Sequence, residues 1–243
     1  MPPLNLKRIH RETQERPDAR RLFLLCEGTN TEPGFLEKVL TNADYIKNPA
    51  VTFVKVNKTG HEFGINDING LICLANKIME DKNNHFSKRK DKVVIIFDLD
   101  RYGKKKQEEI KRIIEQNKKK NIIFVYTNPA VELFLLLCTS QDAYEKYVEP
   151  NVEEILKNGL VKSTDGKSRR YIADLFYKVT GQDSKVSTAD FNLLANNVQH
   201  GINQEKIYIS QKMSENVNKL VSNFGAVLEK IKENDFDNIE YVI

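Results

Sequence analysis

The stretch KVVIIFDLD, residues 92 to 100, constrains this chain more than any other. Its five consecutive apolar residues, Val93 to Phe97, leave no polar side, so a strand formed here must be covered on both faces. Three further segments share that character: LFLLC at 22–26, VTFVKV at 51–56 and NIIFVYT at 121–127. Helical patterns separate them. Residues Thr31 to Leu40 carry Pro33 where a first turn would fall. Between Ile65 and Met79, apolar residues recur at 65, 68, 71, 72, 75, 78 and 79, a helical period. Lys104 to Lys120 has a narrow isoleucine stripe (Ile110, Ile113, Ile114), and PAVELFLLLC reads as a buried helix opening at Pro129. Strand and helix thus alternate four times. This predicts an α/β fold, a mostly parallel sheet with helices on both faces.

After about residue 140 the pattern changes to polar helical segments, with VKSTDGKSRR at 161–170 read as an exposed basic loop. The expected division is a basic N-terminal segment at 1–20, an α/β core at 21–140 and a helical C-terminal region at 141–243. The longest apolar run, VELFLLLC, falls far short of the roughly 20 residues that span a bilayer. The N-terminus has no apolar secretory core, so no membrane association is expected and a cytoplasmic location is. Cys26, Cys73 and Cys138 each lie in an apolar segment without a CxxC pair, which predicts buried free thiols. Four scattered histidines give no zinc spacing, and no GxxxxGK[ST] is present to bind ATP.

In a parallel sheet, all strand C-terminal ends share one edge, and ligands bind there. Glu27 closes the first run. Asp98 and Asp100 close the third, two residues apart and therefore on the same side of the strand. Two like charges at the end of an apolar strand are costly without a counter-charge, which a cation between them or the adjacent Arg101 could supply. Oxygen ligands of this kind suit Mg²⁺ or Mn²⁺. Glu132 follows the fourth strand and falls near the same edge, though an acid in a first helical turn also suits the helix dipole. Glu27 taken alone could be an ordinary surface acid.

Charge is unevenly distributed. The chain carries +4 overall, yet residues 101–120 hold nine basic and three acidic side chains, a local +6. Lys104, Lys105 and Lys106 cluster at one end of this predicted helix, and Lys118, Lys119 and Lys120 at the other. Such runs are commonly solvated helix faces. Beside a candidate acidic site they also suit a polyanion such as nucleic acid.

CEGTNTEPGF at 26–35, FDLDR at 97–101 and NPAVELFLLL at 128–137 together resemble the three motifs of the RloB/AbiLii family, bacterial phage-defence proteins with a Toprim-like core. SENVNKLV at 214–221 is more weakly similar to that family's C-terminal signature. The resemblance implies a Toprim-like sheet in which Glu27 is the motif glutamate, Asp98 and Asp100 bind metal, and Glu132 is the third-motif acid. It implies an Mg²⁺- or Mn²⁺-dependent nuclease acting on RNA (tRNA included) or DNA as the effector of an abortive-infection system. Arg101 would meet developing phosphate charge there. It also implies an ABC-type ATPase as partner, which suits the missing P-loop. The alternative is a non-catalytic, partner-binding subunit of that ATPase complex. Cys138 stands where relatives commonly have histidine.

Overall fold

The computed structural model describes residues 4–9, 19–42, 45, 51–58, 62, 64–65, 67–99, 104–118, 120–213, 219–235, 237 and 239. Four parallel strands form the centre: β2 (Arg20–Cys26), β3 (Val51–Asn57), β4 (Lys92–Asp98) and β5 (Ile122–Asn128). Their apolar runs are explained by the two layers they separate. Leu22, Leu24, Val94 and Ile96 join one cluster with helix α1 (Thr31–Thr41), α4 (Glu132–Leu137) and α9 (Phe224–Glu233). Phe23, Leu25, Val93, Ile95 and Phe97 join the other with α2 (Ile68–Glu80) and α3 (Lys104–Asn117). Alternate residues of one strand thus serve opposite cores, each fully buried side chain contributing about 1.5–3 kcal/mol. Among the described residues, no helix is long and apolar enough to cross a membrane.

The sheet order is β1-β3-β2-β4-β5-β8, and both edges are antiparallel. Neither edge strand was expected. β1 (Asn5–Ile9) lies in the segment read only as basic, and β8 (Val221–Ser222) lies in the region read as helical. Several boundaries also move. α2 starts at Ile68 rather than Ile65, because the Asp67 side chain accepts a hydrogen bond from the Gly70 N–H at 3.0 Å and caps the helix there. The strand read as 92–100 ends at Asp98, and the helix read from Pro129 begins at Glu132, after a cis Asn128–Pro129 peptide. Cys26 and Cys138 are buried, but Cys73 is exposed because it falls outside the inward stripe of α2.

Residues 161–170 are a correction too. They do not form a loop: β6 (Leu160–Lys162) and β7 (Ser168–Arg170) make an antiparallel hairpin turned by Gly166 at φ +82°. Buried Arg169 anchors it, reaching Asp165 at 2.6 and 2.7 Å and Asp183 at 2.9 Å, with its guanidinium 4.3 Å from the Tyr177 ring centroid. Helix α6 (Tyr171–Thr180) packs on both this hairpin and the wholly buried α4, α8 (Val198–Tyr208) packs on α4, α5 (Val152–Lys157) on α6, and α7 (Asn192–Asn196) on α1.

At the amino ends of the central strands, Asp91 locks the start of β4 to β2. It accepts from the Arg21 backbone at 3.0 Å, from the Arg21 guanidinium at 2.6 and 3.1 Å, and from the Ser87 N–H at 2.8 Å, with only 2% of its surface exposed. Removing Asp91 takes the acceptor from the Arg21 and Ser87 N–H groups and the counter-charge from the half-buried Arg21 guanidinium. Asp91→Ala should therefore lower stability in a urea melt by about 3 kcal/mol. A loss below about 0.5 kcal/mol, the size of a surface change, would contradict this account.

Candidate acidic site at the carboxyl edge of the sheet

The parallel strands deliver their acids to one edge, as their order requires. Glu27 follows β2 and Asp98 ends β4, and the two strands are neighbours. The Glu27 N–H donates to the Ile96 carbonyl at 2.7 Å, continuing the ladder, while its Oε2 accepts from the Asp98 N–H at 3.1 Å. Glu27 is therefore not an ordinary surface acid, being only 8% exposed. Buried Lys58, just after β3, holds the Glu27 carbonyl and, at 3.0 Å, that of Ile65.

Asp98 is fixed from the other side. Its Oδ1 accepts from Thr127 Oγ1 at 2.8 Å and from the Val131 N–H at 3.0 Å. Its Oδ2 takes no hydrogen bond from the described residues. Glu132, in the first turn of α4, is completely buried. Its Oε1 meets Ser184 Oγ and Lys185 Nζ, each at 2.7 Å, while its Oε2 has no partner among the described residues.

Two further residues complete the cluster. Glu32 lies in the first turn of α1 and is 3% exposed, with its carboxylate folded back against Gly28. The approach is so close that a Cβ at residue 28 would overlap the Glu32 carboxylate, which is why glycine stands there. Lys185 comes from the loop after α6. Its side chain is 54% exposed as a whole, yet its ammonium reaches the fully buried Glu132.

The electrostatics follow from this crowding. Burial, then repulsion from Glu32, Glu132 and Glu27, pushes the Asp98 carboxyl well above its usual range despite the nearby Lys185. Burial also raises Glu32, with Lys185 opposing and Glu132 reinforcing the effect. Burial disfavours the Lys185 ammonium, but Glu132, Glu32 and Asp98 together hold its pKa above the ordinary lysine value. Glu32, Asp98 and Glu132 thus share Lys185, while Lys58 lies against Glu27, and among the described residues the acids of this edge outnumber the lysines beside them.

Not every expected residue can be placed. Asp100 and Arg101 lie outside the described residues, as does Lys119. Lys106, Lys118 and Lys120 are exposed along and just beyond α3; Lys104 and Lys105 open that helix. Among the described residues, no three His, Cys, Asp or Glu side chains are grouped closely enough to hold one metal ion. The expected trio includes Asp100, so the described part of it is the pair Glu27 and Asp98.

Sequence reading missed Glu32 and Lys185. Glu32 had a signal: a helix starting immediately after a strand swings its first-turn acid back over the same edge. Lys185 had none, since an irregular loop carries it 53 positions beyond Glu132.

A mostly parallel α/β sheet with buried acids converging on its carboxyl edge defines a class of protein with a charged site at the strand ends. The family is specific within it: the model described as RloB-like protein matches residues 22–231, and the chain belongs to the RloB-like family. No curated protein and no solved structure matches the chain.

Proposed function

We propose that this protein is a divalent-metal-dependent nuclease, and that the acidic edge hydrolyses the phosphodiester bonds of RNA or DNA. The observation that carries this reading is the convergence of Glu32, Asp98 and Glu132 on Lys185 beside buried Glu27, with Glu132 Oε2 unpartnered and Asp98 Oδ2 without a donor among the described residues. Such a donor set fits Mg²⁺ or Mn²⁺, which take oxygen ligands and commonly need only one or two carboxylates beside waters and phosphate oxygens. Glu27 and Asp98, with Asp100, are the residues that would hold it. When bound, the ion neutralises phosphate charge and makes its water a stronger nucleophile.

The chain's own groups have distinct parts in this reading. Thr127 and the Val131 N–H orient Asp98 so that Oδ2 stays outward. Glu27, held by the Asp98 N–H, is the general base or a second ligand. Lys185 balances Glu132 and Glu32 and lies close enough to meet a phosphate oxygen. Arg101 stabilises developing charge, and the lysines of 104–106 and 118–120 hold the nucleic-acid backbone. An ABC-type ATPase as partner and a role in abortive infection follow from the family resemblance. Nucleotide-dependent co-purification with that ATPase checks this part.

The direct test is incubation of the purified chain with Mn²⁺ or Mg²⁺ on tRNA, single-stranded DNA and plasmid. Cleavage of at least one, abolished by chelator, is the expected result. No cleavage with or without the ATPase, together with no metal-dependent rise in melting temperature, would leave the acids as structural groups and the chain as a partner-binding subunit.

A further inference from the structure

A cavity of about 140 Å³ opens beside the acidic edge, lined by Asp98, Glu132, Asn158, Arg170, Ile172 and Lys185 among others. Its floor and rim differ in charge. Asp98 and Glu132 are the acids already described, while Arg170 and Lys185 add two cations at the margin. Arg170 is also the last residue of the β6–β7 hairpin. The register pairs Leu160 with Arg170, Val161 with Arg169 and Lys162 with Ser168. Alternation then places Leu160, Lys162, Ser168 and Arg170 on one face, and all four are exposed. Val161 and the anchored Arg169 occupy the opposite face.

The cations of this exposed face differ from those around them. Lys157 is paired with Glu154 at 2.7 Å, Lys167 with Asp183 at 3.6 Å and Lys178 with Asp174 at 2.8 Å. Lys162 has no carboxylate partner among the described residues. Arg170 donates only to the Asn158 carbonyl, at 3.2 Å, and meets no carboxylate there. The hairpin that carries them is held rigidly by Arg169, Asp165 and Asp183. Two uncompensated cations on a fixed strand face, the second at the mouth of a cavity that reaches Asp98, form a positive path into the acidic site.

We propose that this cavity is a phosphodiester subsite and that the exposed face of the hairpin guides a nucleic-acid backbone into it, with Arg170 binding the phosphate at the mouth and Lys162 the next along the strand. Lys162 stands opposite Ser168, one exposed pair along from Leu160 and Arg170, so Lys162 and Arg170 lie diagonally across the hairpin face, roughly 7–8 Å apart, a separation that long cationic side chains can match to neighbouring phosphates of one backbone. The apolar surface that Leu160 adds beside these cations can be used only by an unpaired base, so the ligand is a single-stranded stretch of RNA or DNA. Leu160, 71% exposed on the same face, offers an apolar surface to an unstacked base. This inference rests on reading the acidic edge as the hydrolytic site, but it concerns binding and is tested apart from cleavage.

The experiment is fluorescence anisotropy of short labelled RNA and DNA single strands of one sequence, titrated in chelator so that the probe is not consumed, across a salt series. Lys162→Glu and Arg170→Gln are compared with wild type, with a variant carrying alanine at Lys118 and Lys120, and with the melting temperature of each. Each hairpin substitution should weaken binding about tenfold and lower the salt slope by roughly 0.7 for each phosphate no longer held. Arg170→Lys should retain most of the affinity. Preference for one probe identifies which nucleic acid the path takes. The proposal is overturned if wild type binds neither strand, or if affinity and slope are unchanged in both hairpin variants. It is overturned as well if only Arg170→Gln weakens binding and does so with a lowered melting temperature, since Arg170 would then merely close the end of α5 through Asn158. Loss of binding in a protein that never cleaves would keep the path and remove the nuclease reading. Cleavage with hairpin-independent binding would do the reverse.

Discussion

Asp98→Asn is expected to leave the metal-free protein at least as stable as wild type, and about 1 kcal/mol more stable if repulsion from its neighbours dominates. Asparagine keeps the Oδ1 that accepts from Thr127 and Val131, so the local geometry survives. What disappears is one charge among Glu27, Glu32 and Glu132. A carboxyl whose folded pKa lies above its unfolded value holds its proton more tightly when folded. It therefore costs nothing below the ordinary carboxylate range and destabilises progressively as pH rises toward the folded value. Asp98 and Glu32 are both raised. Metal-free wild type should accordingly lose stability from these groups between mildly acidic and neutral pH, and the variant should lose less. With Mg²⁺ or Mn²⁺ the order should invert: at about 100 times its dissociation constant, a ligand adds about 2.7 kcal/mol to the protein that binds it. Cleavage should fall by orders of magnitude in the same variant. Paired melting curves in chelator and in metal, over a pH series, give the answer. A variant plainly destabilised in chelator, with no metal response in wild type, would make Asp98 a structural ion-pair partner.

Glu205→Ala should be among the most damaging substitutions to the fold. Glu205 lies on α8, is completely buried and meets no cation among the described residues; burial raises its pKa. Its carboxylate accepts from Ser222 Oγ and from the Ala226 N–H at 2.9 Å, and Ser222 Oγ in turn accepts from the Phe224 N–H at 3.2 Å. It thus caps α9 from a neighbouring helix. The helix's own N-cap residue cannot, because the Asn223 side chain is engaged with β5, accepting from the Tyr126 N–H at 2.8 Å and donating to the Phe124 carbonyl at 3.0 Å. Alanine at 205 leaves the Ala226 N–H and the Ser222 hydroxyl without their acceptor, at a cost of about 3 kcal/mol. Glutamine keeps one acceptor oxygen and should cost about half as much. Denaturant melts measure both, and amide exchange should quicken first in β8 and α9. A loss under about 1 kcal/mol for alanine would mean that water readily replaces the carboxylate.

The two substitutions are linked through Thr127, which pairs with Ser222 of β8 and donates to Asp98. Loosening α9 and β8 should therefore blur the position of Asp98 and reduce any activity that depends on it.

The central strands were legible in the sequence because an uninterrupted apolar run admits few other fates. Glu27, Asp98 and Glu132 were legible as neighbours for a topological reason: parallel strands bring their ends to one edge. The edge strands were not legible. NLKRI of β1 is mostly polar and largely exposed, and β8 is only two residues long, so neither carries a period. VKSTDGKSRR looked like a loop because its Gly and polar residues mark the turn, while the alternation that makes it a hairpin depends on Arg169 being buried by distant Asp183 and Tyr177. Lys185 and Glu205 act through partners far away in sequence, and no local pattern announces such pairings.

The antiparallel edge has a consequence for how the molecule is made. Residue 127 finds its partner only when residue 222 has been synthesised. Until then β5, buried along its whole length in the finished fold, has an open hydrogen-bonding edge and an uncovered flank where α9 will lie. A nascent chain in that state presents what sheet-to-sheet association needs, and closing so long a loop is slow. β8 and α9 therefore decide when the chain stops being sticky. Deleting residues 221–233 should show first as insoluble product during expression, before any change in the chemistry at Asp98 could be measured.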